Sequence, residues 1–387
     1  RPPPPPGSDV FLRNACFPWD MASLRVPLAA AATALLGALA PAVSDARPPA
    51  ARPVLEPLVS VAPASTSFQD RVITGSSASA HAAQTSIQGT TTAFATPSGV
   101  RIPITIAASF TGDPAIAQTY ANFLDTLPHG SELAKLNVTI VPAGEVNGDC
   151  GGNADTSILA CYSKAQQRMI VPGDLGATAS GVTASYVITH EYGHHVAAHR
   201  SDAPLEAISY GPKRWASYEL VCDRTLRGLL APGDQGRYYL SNPGEAWAET
   251  YARLVYPEQA WRWTPLLKPD AGALAAARAD VAQPWSKGVT KTFRGTFTSG
   301  SQRVRRFTLP LTLDGALSFK LRGPAKANYD LRVTSLKKVD AQTKAKGSRD
   351  SVSYRNACRQ ARTEVLTLTV QRRSGTGPFT LAVAYAG

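Results

Sequence analysis

Four of the chain's six histidines, His190, His194, His195 and His199, crowd into one ten-residue stretch. His190 and His194 stand four apart, so on an α-helix both imidazoles lie on one face and can grip a single metal ion. Glu191, one position further round, then reaches a water on that metal and can take its proton. A hydrolytic zinc ion uses three protein ligands and leaves a fourth position open. The pattern therefore needs a third ligand from elsewhere in the chain.

His199 is one candidate for that ligand. In the metzincin pattern the third histidine falls ten residues after the first, with a glycine at position 197 and a later methionine turn. Here the corresponding positions hold Arg200 and Ala197, and Met169 lies upstream. The second candidate is the run Asn242-Pro243-Gly244-Glu245-Ala246-Trp247-Ala248-Glu249. Pro243 and Gly244 suit a helix start, and Glu245 and Glu249, four apart, then share a face. One carboxylate can bind the metal while the other accepts a hydrogen bond from a ligand imidazole.

His-Glu-x-x-His followed by this helix resembles the gluzincin-type zinc metallopeptidases, above all the lethal-factor-like subset, whose late helix carries Glu-x-x-Ala-Glu shortly after a tyrosine. The resemblance covers residues 180–256. It implies zinc as the cofactor, His190, His194 and Glu245 as ligands, Glu249 as their outer hydrogen-bond partner and Glu191 as general base. It also implies Tyr238 as the phenol facing the oxyanion, with Tyr239 the alternative if the register slips. His195 and His199 are expected to face solvent.

The elements that must position these groups can be read from periodicity. Thr91–Ala95 and Val100–Phe110 flank Pro97-Ser98-Gly99 as a hairpin. Pro114–Leu127 has helical spacing, and Leu136–Pro142 and Gln167–Pro172 read as strands, the latter a candidate sheet edge for an extended peptide. Residues 180–199 form the histidine helix, with helices expected at 214–229 and 243–256. After Pro284 the pattern changes to short alternating runs at Val289–Thr298, Val304–Leu311, Leu317–Leu321, Tyr329–Thr334, Val365–Gln371 and Phe379–Ala386, a β-sandwich pattern. Asn328–Val333 and the closing Gly377-Pro378-Phe379-Thr380-Leu381 resemble the pre-peptidase C-terminal β-sandwich of secreted bacterial proteases.

Charge divides the chain in the same place. Residues 287–387 carry 20 Lys and Arg against 5 Asp and Glu, while the whole chain nets +12. The excess suggests attraction to an anionic cell-surface polymer. No stacking aromatics are interleaved with the basic residues, which argues against nucleic acid. Residues 1–20, opening on a proline run, read as an upstream extension. Residues 21–46 read as a secretory signal, with Arg25, an apolar Val26–Ala40 run and a small-residue cleavage site. No other run is long enough to span a bilayer.

Residues 47–87, rich in Pro and Ala, read as a linker or pro-segment. Past the signal four cysteines remain, which in an exported chain favours disulfides. Of three pairings, Cys150–Cys161 closes a short turn-rich loop and is preferred, leaving Cys222–Cys358. The expected architecture is an α+β zincin-like domain over 88–285 followed by an all-β sandwich over 286–387. The expected activity is secreted, zinc-dependent cleavage of protein or peptide substrates. A cell-wall peptide hydrolase and a non-catalytic surface-binding protein with a vestigial site are the rivals.

Overall fold

The computed structural model describes residues 69–73, 87–154, 157–173, 182–298, 301–335, 338–343, 347 and 349–387. The upstream extension, the signal peptide and most of the 47–87 segment lie outside the described residues. Among those described, no helix is long and apolar enough to cross a membrane.

The first domain is α+β. Strands β1 (Gln69–Ile73), β2 (Gly89–Ala95), β3 (Arg101–Ala107), β4 (Asn137–Val141), β5 (Ile158–Ser163) and β6 (Arg168–Pro172) form one sheet in the order β1-β5-β6-β4-β3-β2. β2 and β3 are the expected antiparallel hairpin, and β3, β4 and β6 run parallel. β6 has β4 on one side and antiparallel β5 on the other, so it is an inner strand and not the edge its sequence suggested. β1 comes from the stretch read as a linker and pairs in parallel with β5, so the sheet begins upstream of residue 88.

Helices α1 (Ile116–Thr126), α2 (Ala143–Asp149), α3 (Ala184–Ala198), α4 (Ala207–Tyr210), α5 (Lys213–Tyr218), α6 (Val221–Leu226), α7 (Pro243–Ala252) and α8 (Ala271–Ala282) complete the domain. α1 turns Ala117, Tyr120, Ala121, Phe123 and Leu124 inward, the 3.6-residue stripe that marked it in the sequence. The single helix expected at 214–229 is broken at Leu220, whose left-handed backbone (φ 52°) ends the first segment and caps the second. α3 carries His-Glu-x-x-His and is buried from Ala184 to Ala197. β5 and β6 cover one side and α7 the other.

Among its described residues the second domain has eight strands where the sequence suggested six: β7 (Val289–Phe297), β8 (Val304–Leu311), β9 (Gly315–Arg322), β10 (Asn328–Ser335), β11 (Lys338–Gln342), β12 (Arg349–Ala357), β13 (Glu364–Ser374) and β14 (Gly377–Tyr385). They form two antiparallel four-stranded sheets, β11-β10-β13-β8 and β12-β9-β14-β7. Leu309, Leu331, Leu368 and Val370 of the first sheet share one core with Phe297, Phe319, Phe379 and Leu381 of the second. A β-sandwich results, its alternating burial set by the period of two.

Both disulfides form as expected, Cys150–Cys161 and Cys222–Cys358. The second ties α6 to the sandwich. Charged groups extend the junction around it. Arg362 of the sandwich reaches Asp270 at 2.7 Å and Glu219 at 3.4 Å, its guanidinium over the Tyr218 ring. Lys213, buried, pairs with Asp202 at 2.6 Å and donates to the Asp314 carbonyl at 3.2 Å. The Asp314 carboxylate accepts from the Arg359 backbone N–H at 2.6 Å.

Burial pushes Asp314 up to about 7 despite that hydrogen bond, with Asp202 nearby adding to the shift. The folded protein therefore holds a proton that the unfolded chain releases above about pH 4. That contribution to stability is full below about pH 4 and lost as pH rises towards 7. Asp314→Asn, which keeps the shape without the charge, should gain melting temperature relative to the wild type as pH climbs from 5 to 8. The gain corresponds to at most about 2–4 kcal/mol. A wild-type-to-variant difference that does not change over that interval would refute the buried, protonated state.

Candidate metal centre

Two helices build the cluster. Thr183 caps α3 by accepting the Tyr186 backbone N–H, and Asn242 caps α7 by accepting that of Gly244, with Pro243 opening the first turn. The helices approach closely at Gly193. A Cβ there would lie 2.9 Å from the Ala248 Cα, so any larger residue would force α3 and α7 apart. The Gly193 carbonyl accepts the Trp247 indole N–H at 2.9 Å, fixing the register of one helix on the other.

That register brings His190, His194 and Glu245 together. Glu245 Oε2 lies 3.3 Å from His190 Nε2 and 3.2 Å from His194 Nε2, and all three residues are fully buried. One atom from each lies within 4.8 Å of the others, a group that can hold a metal ion. Atoms bound tetrahedrally at about 2.0–2.1 Å stand about 3.3 Å apart. The two measured separations match that figure. Burial acts to raise the Glu245 pKa, but the adjoining His194 and His190 rings outweigh it and hold the carboxyl well below its usual range. Burial also lowers His194, against the opposing pull of the Glu245 carboxylate beside it.

Around the three, further side chains set orientation. Glu249 Oε2 is 3.5 Å from His190 Nδ1, where it can accept the ring's other N–H. The Tyr186 hydroxyl donates to that same oxygen. Gln235 Nε2 donates to Glu245 Oε1 at 2.6 Å, leaving Oε2 to face the histidines. The Trp263 ring stacks on His190 with centroids 5.4 Å apart and planes 18° from parallel. Glu191, fully buried, follows His190 directly in α3.

The two tyrosines fall differently from their expected order. Tyr238 is half exposed, with Arg237 beside its ring. Tyr239 is buried and its hydroxyl lies 3.4 Å from Glu245 Oε2. The reason is local. Tyr238 caps a single 3₁₀ turn, Tyr239–Ser241, and the next residue round is the one turned inward.

His195 also departs from expectation. It is fully buried, with Nε2 2.8 Å from the Glu132 carbonyl and Nδ1 3.1 Å from the Tyr162 hydroxyl, and burial lowers its pKa to about 4. It is a neutral brace between α3 and the sheet. His199, at the C-terminal end of α3, is half-buried and lies outside the cluster.

Of the groups around the cluster, sequence reasoning gave no role at the site to Tyr186, which it placed only on the buried side of the helix, or to Gln235 and Trp263. Tyr186 could have been found, because it stands four residues before His190 on the same helical face. Gln235 and Trp263 sit on connections flanking α7 and carry no periodic signal.

No family model matches the chain, and no curated protein matches it. Among solved structures, the pre-peptidase C-terminal domain of a collagenase from Bacillus anthracis aligns over 24% of this chain and 89% of its own, at 15% identity and a TM-score of 0.21. Dimeric latent PorU from Porphyromonas gingivalis aligns over 26% of this chain and 13% of its own, at 10% identity and a TM-score of 0.18. FLHE aligns over 26% of this chain and 100% of its own, at 13% identity and a TM-score of 0.17.

Proposed function

We propose that the protein is a secreted zinc metalloendopeptidase of gluzincin type, its first domain zincin-like and its catalytic base Glu191. The observation that carries this reading is the convergence of His190, His194 and Glu245 from two helices at a spacing suited to one tetrahedral ion. Zinc bound there would supply a Lewis acid that brings the pKa of a water down towards about 7.

The chain's own groups account for the remaining steps. Glu191 accepts a proton from the attacking water and passes it to the departing amine. The Tyr239 hydroxyl, standing at the edge of the cluster, donates a hydrogen bond to the carbonyl oxygen as it gains charge. Glu249 and Trp263 hold the His190 ring with Nε2 towards Glu245. Protein or peptide is the substrate in this reading. Peptidoglycan cross-links are chemically equivalent amides.

One observation favours a different reading. All three ligands are fully buried, as in closed structural metal sites, which suits a surface-binding protein with a vestigial centre. Against it, structural sites use four protein ligands, and among the described residues the cluster supplies three. Purified protein is expected to contain stoichiometric zinc and to hydrolyse casein, with hydrolysis stopped by a chelator and restored by zinc. Faster release from peptidoglycan than from casein would move the substrate to the cell wall. Stoichiometric zinc with no hydrolysis of either would overturn the enzyme.

A further inference from the structure

The outer face of the β12-β9-β14-β7 sheet carries four exposed cations on two neighbouring rows. Because Leu317, Phe319 and Leu321 point into the core, Ser318, Lys320 and Arg322 point out. Strand register extends each outward residue into a row across the sheet. Arg349 pairs with Arg322, Arg322 with Thr380, and Thr380 with Arg294. One row thus reads Arg-Arg-Thr-Arg, with Lys320 in the next, and all four cations are exposed. The remaining outward positions of these rows are Ser, Thr or Ala, and none is acidic.

Arg349 and Arg322 are direct cross-strand neighbours, where like charges destabilise an antiparallel pair. Among the described residues, none of the four cations has an ion-pair partner, whereas Asp330 on the opposite sheet is held by Arg373 at 2.7 Å. With strands about 4.8 Å apart, the row offers guanidinium groups based about 5 and 10 Å from one another across the sheet. Such planar forks donate two hydrogen bonds at a time to a carboxylate or sulfate.

We infer that this face binds an acidic polysaccharide laid across the strands along the Arg349–Arg322–Arg294 row. Charge complementarity sets the sign of the partner, and the hydroxyls between the cations match a sugar chain. The Arg349–Arg322–Thr380–Arg294 row and the neighbouring Ser351–Lys320–Ala382–Thr292 row hold no aromatic ring on which a base could stack and no large apolar side chain to enter a bilayer. The assignment is independent of the metal cluster and stands whether or not the protein is a hydrolase.

The test uses the full chain and two charge-matched double variants. Arg294→Ser with Arg322→Ser removes two cations from the row. Arg306→Ser with Arg332→Ser removes two from the opposite sheet, where register sets both beside Thr369. Affinities for heparin and for polygalacturonate are measured, with duplex DNA and anionic phospholipid vesicles as comparison probes. The first pair should raise the Kd for at least one polysaccharide about tenfold or more and the second less than about twofold, with DNA and vesicles bound more weakly. Equal losses from both pairs, or stronger binding to DNA or vesicles, would overturn the proposal. If serine lowers the melting temperature, the same pairs made to Gln are read in its place.

Discussion

Glu191→Gln is expected to lower the rate of casein hydrolysis about 10²–10⁴-fold while leaving zinc content unchanged. The substitution keeps the shape of the side chain and removes its ability to accept a proton. Glu191 is fully buried and outside the three-residue group that can hold a metal, so binding of an ion there is not expected to depend on it. A neutral amide also avoids the cost of burying a carboxylate, so the melting temperature should not fall. Rate and metal content must therefore separate. A variant that hydrolyses casein at the wild-type rate removes Glu191 from the chemistry. One that loses zinc makes it a ligand.

The second large effect concerns which carboxylate meets the ion. Glu245→Ala deletes one of the three converging groups and leaves the Gln235 amide without its 2.6 Å acceptor. Zinc affinity, measured by competition with a chromophoric chelator, should fall by more than about 100-fold. Glu249→Gln disturbs only the outer contact to His190 and the Tyr186 hydroxyl, for which a loss of about 10–100-fold is expected. The ranking is the test. A larger loss from Glu249→Gln would exchange the two roles and shift the ligand by one helical turn.

The three-residue cluster was legible in the sequence because both of its parts are local patterns. An i, i+4 pair of histidines and an i, i+4 pair of glutamates each define a face of a helix without knowledge of the rest. What the sequence could not supply was anything fixed by contact. His195 looks like a solvent-facing residue on an amphipathic helix, yet α3 is covered on both sides and Glu132 and Tyr162 meet the ring. Tyr238 and Tyr239 are chemically identical neighbours, and only the 3₁₀ turn decides which faces Glu245.

The sandwich shows the same division. Its six expected strands alternate large apolar residues with polar ones. β11 and β12 escaped because Lys338–Gln342 has a single branched aliphatic residue, and β12 sets only Val352 and Tyr354 against a run of Ser, Arg and Asp. β1 escaped because a strand taken from a Pro- and Ala-rich stretch acquires its meaning only from β5. The row of arginines is a further case. Arg294, Arg322 and Arg349 lie far apart in sequence, and strand register alone aligns them.

The Cys222–Cys358 bond joins positions 136 residues apart, and the ring it closes includes all of α7 with Glu245 and Glu249. A protease that cuts once anywhere inside that ring makes two new chain ends but does not release a fragment. The nicked molecule stays in one piece under non-reducing conditions, heavier only by the water added at the cut, and the helix bearing Glu245 stays attached to the one bearing His190. Separation into pieces requires reduction as well as a cut.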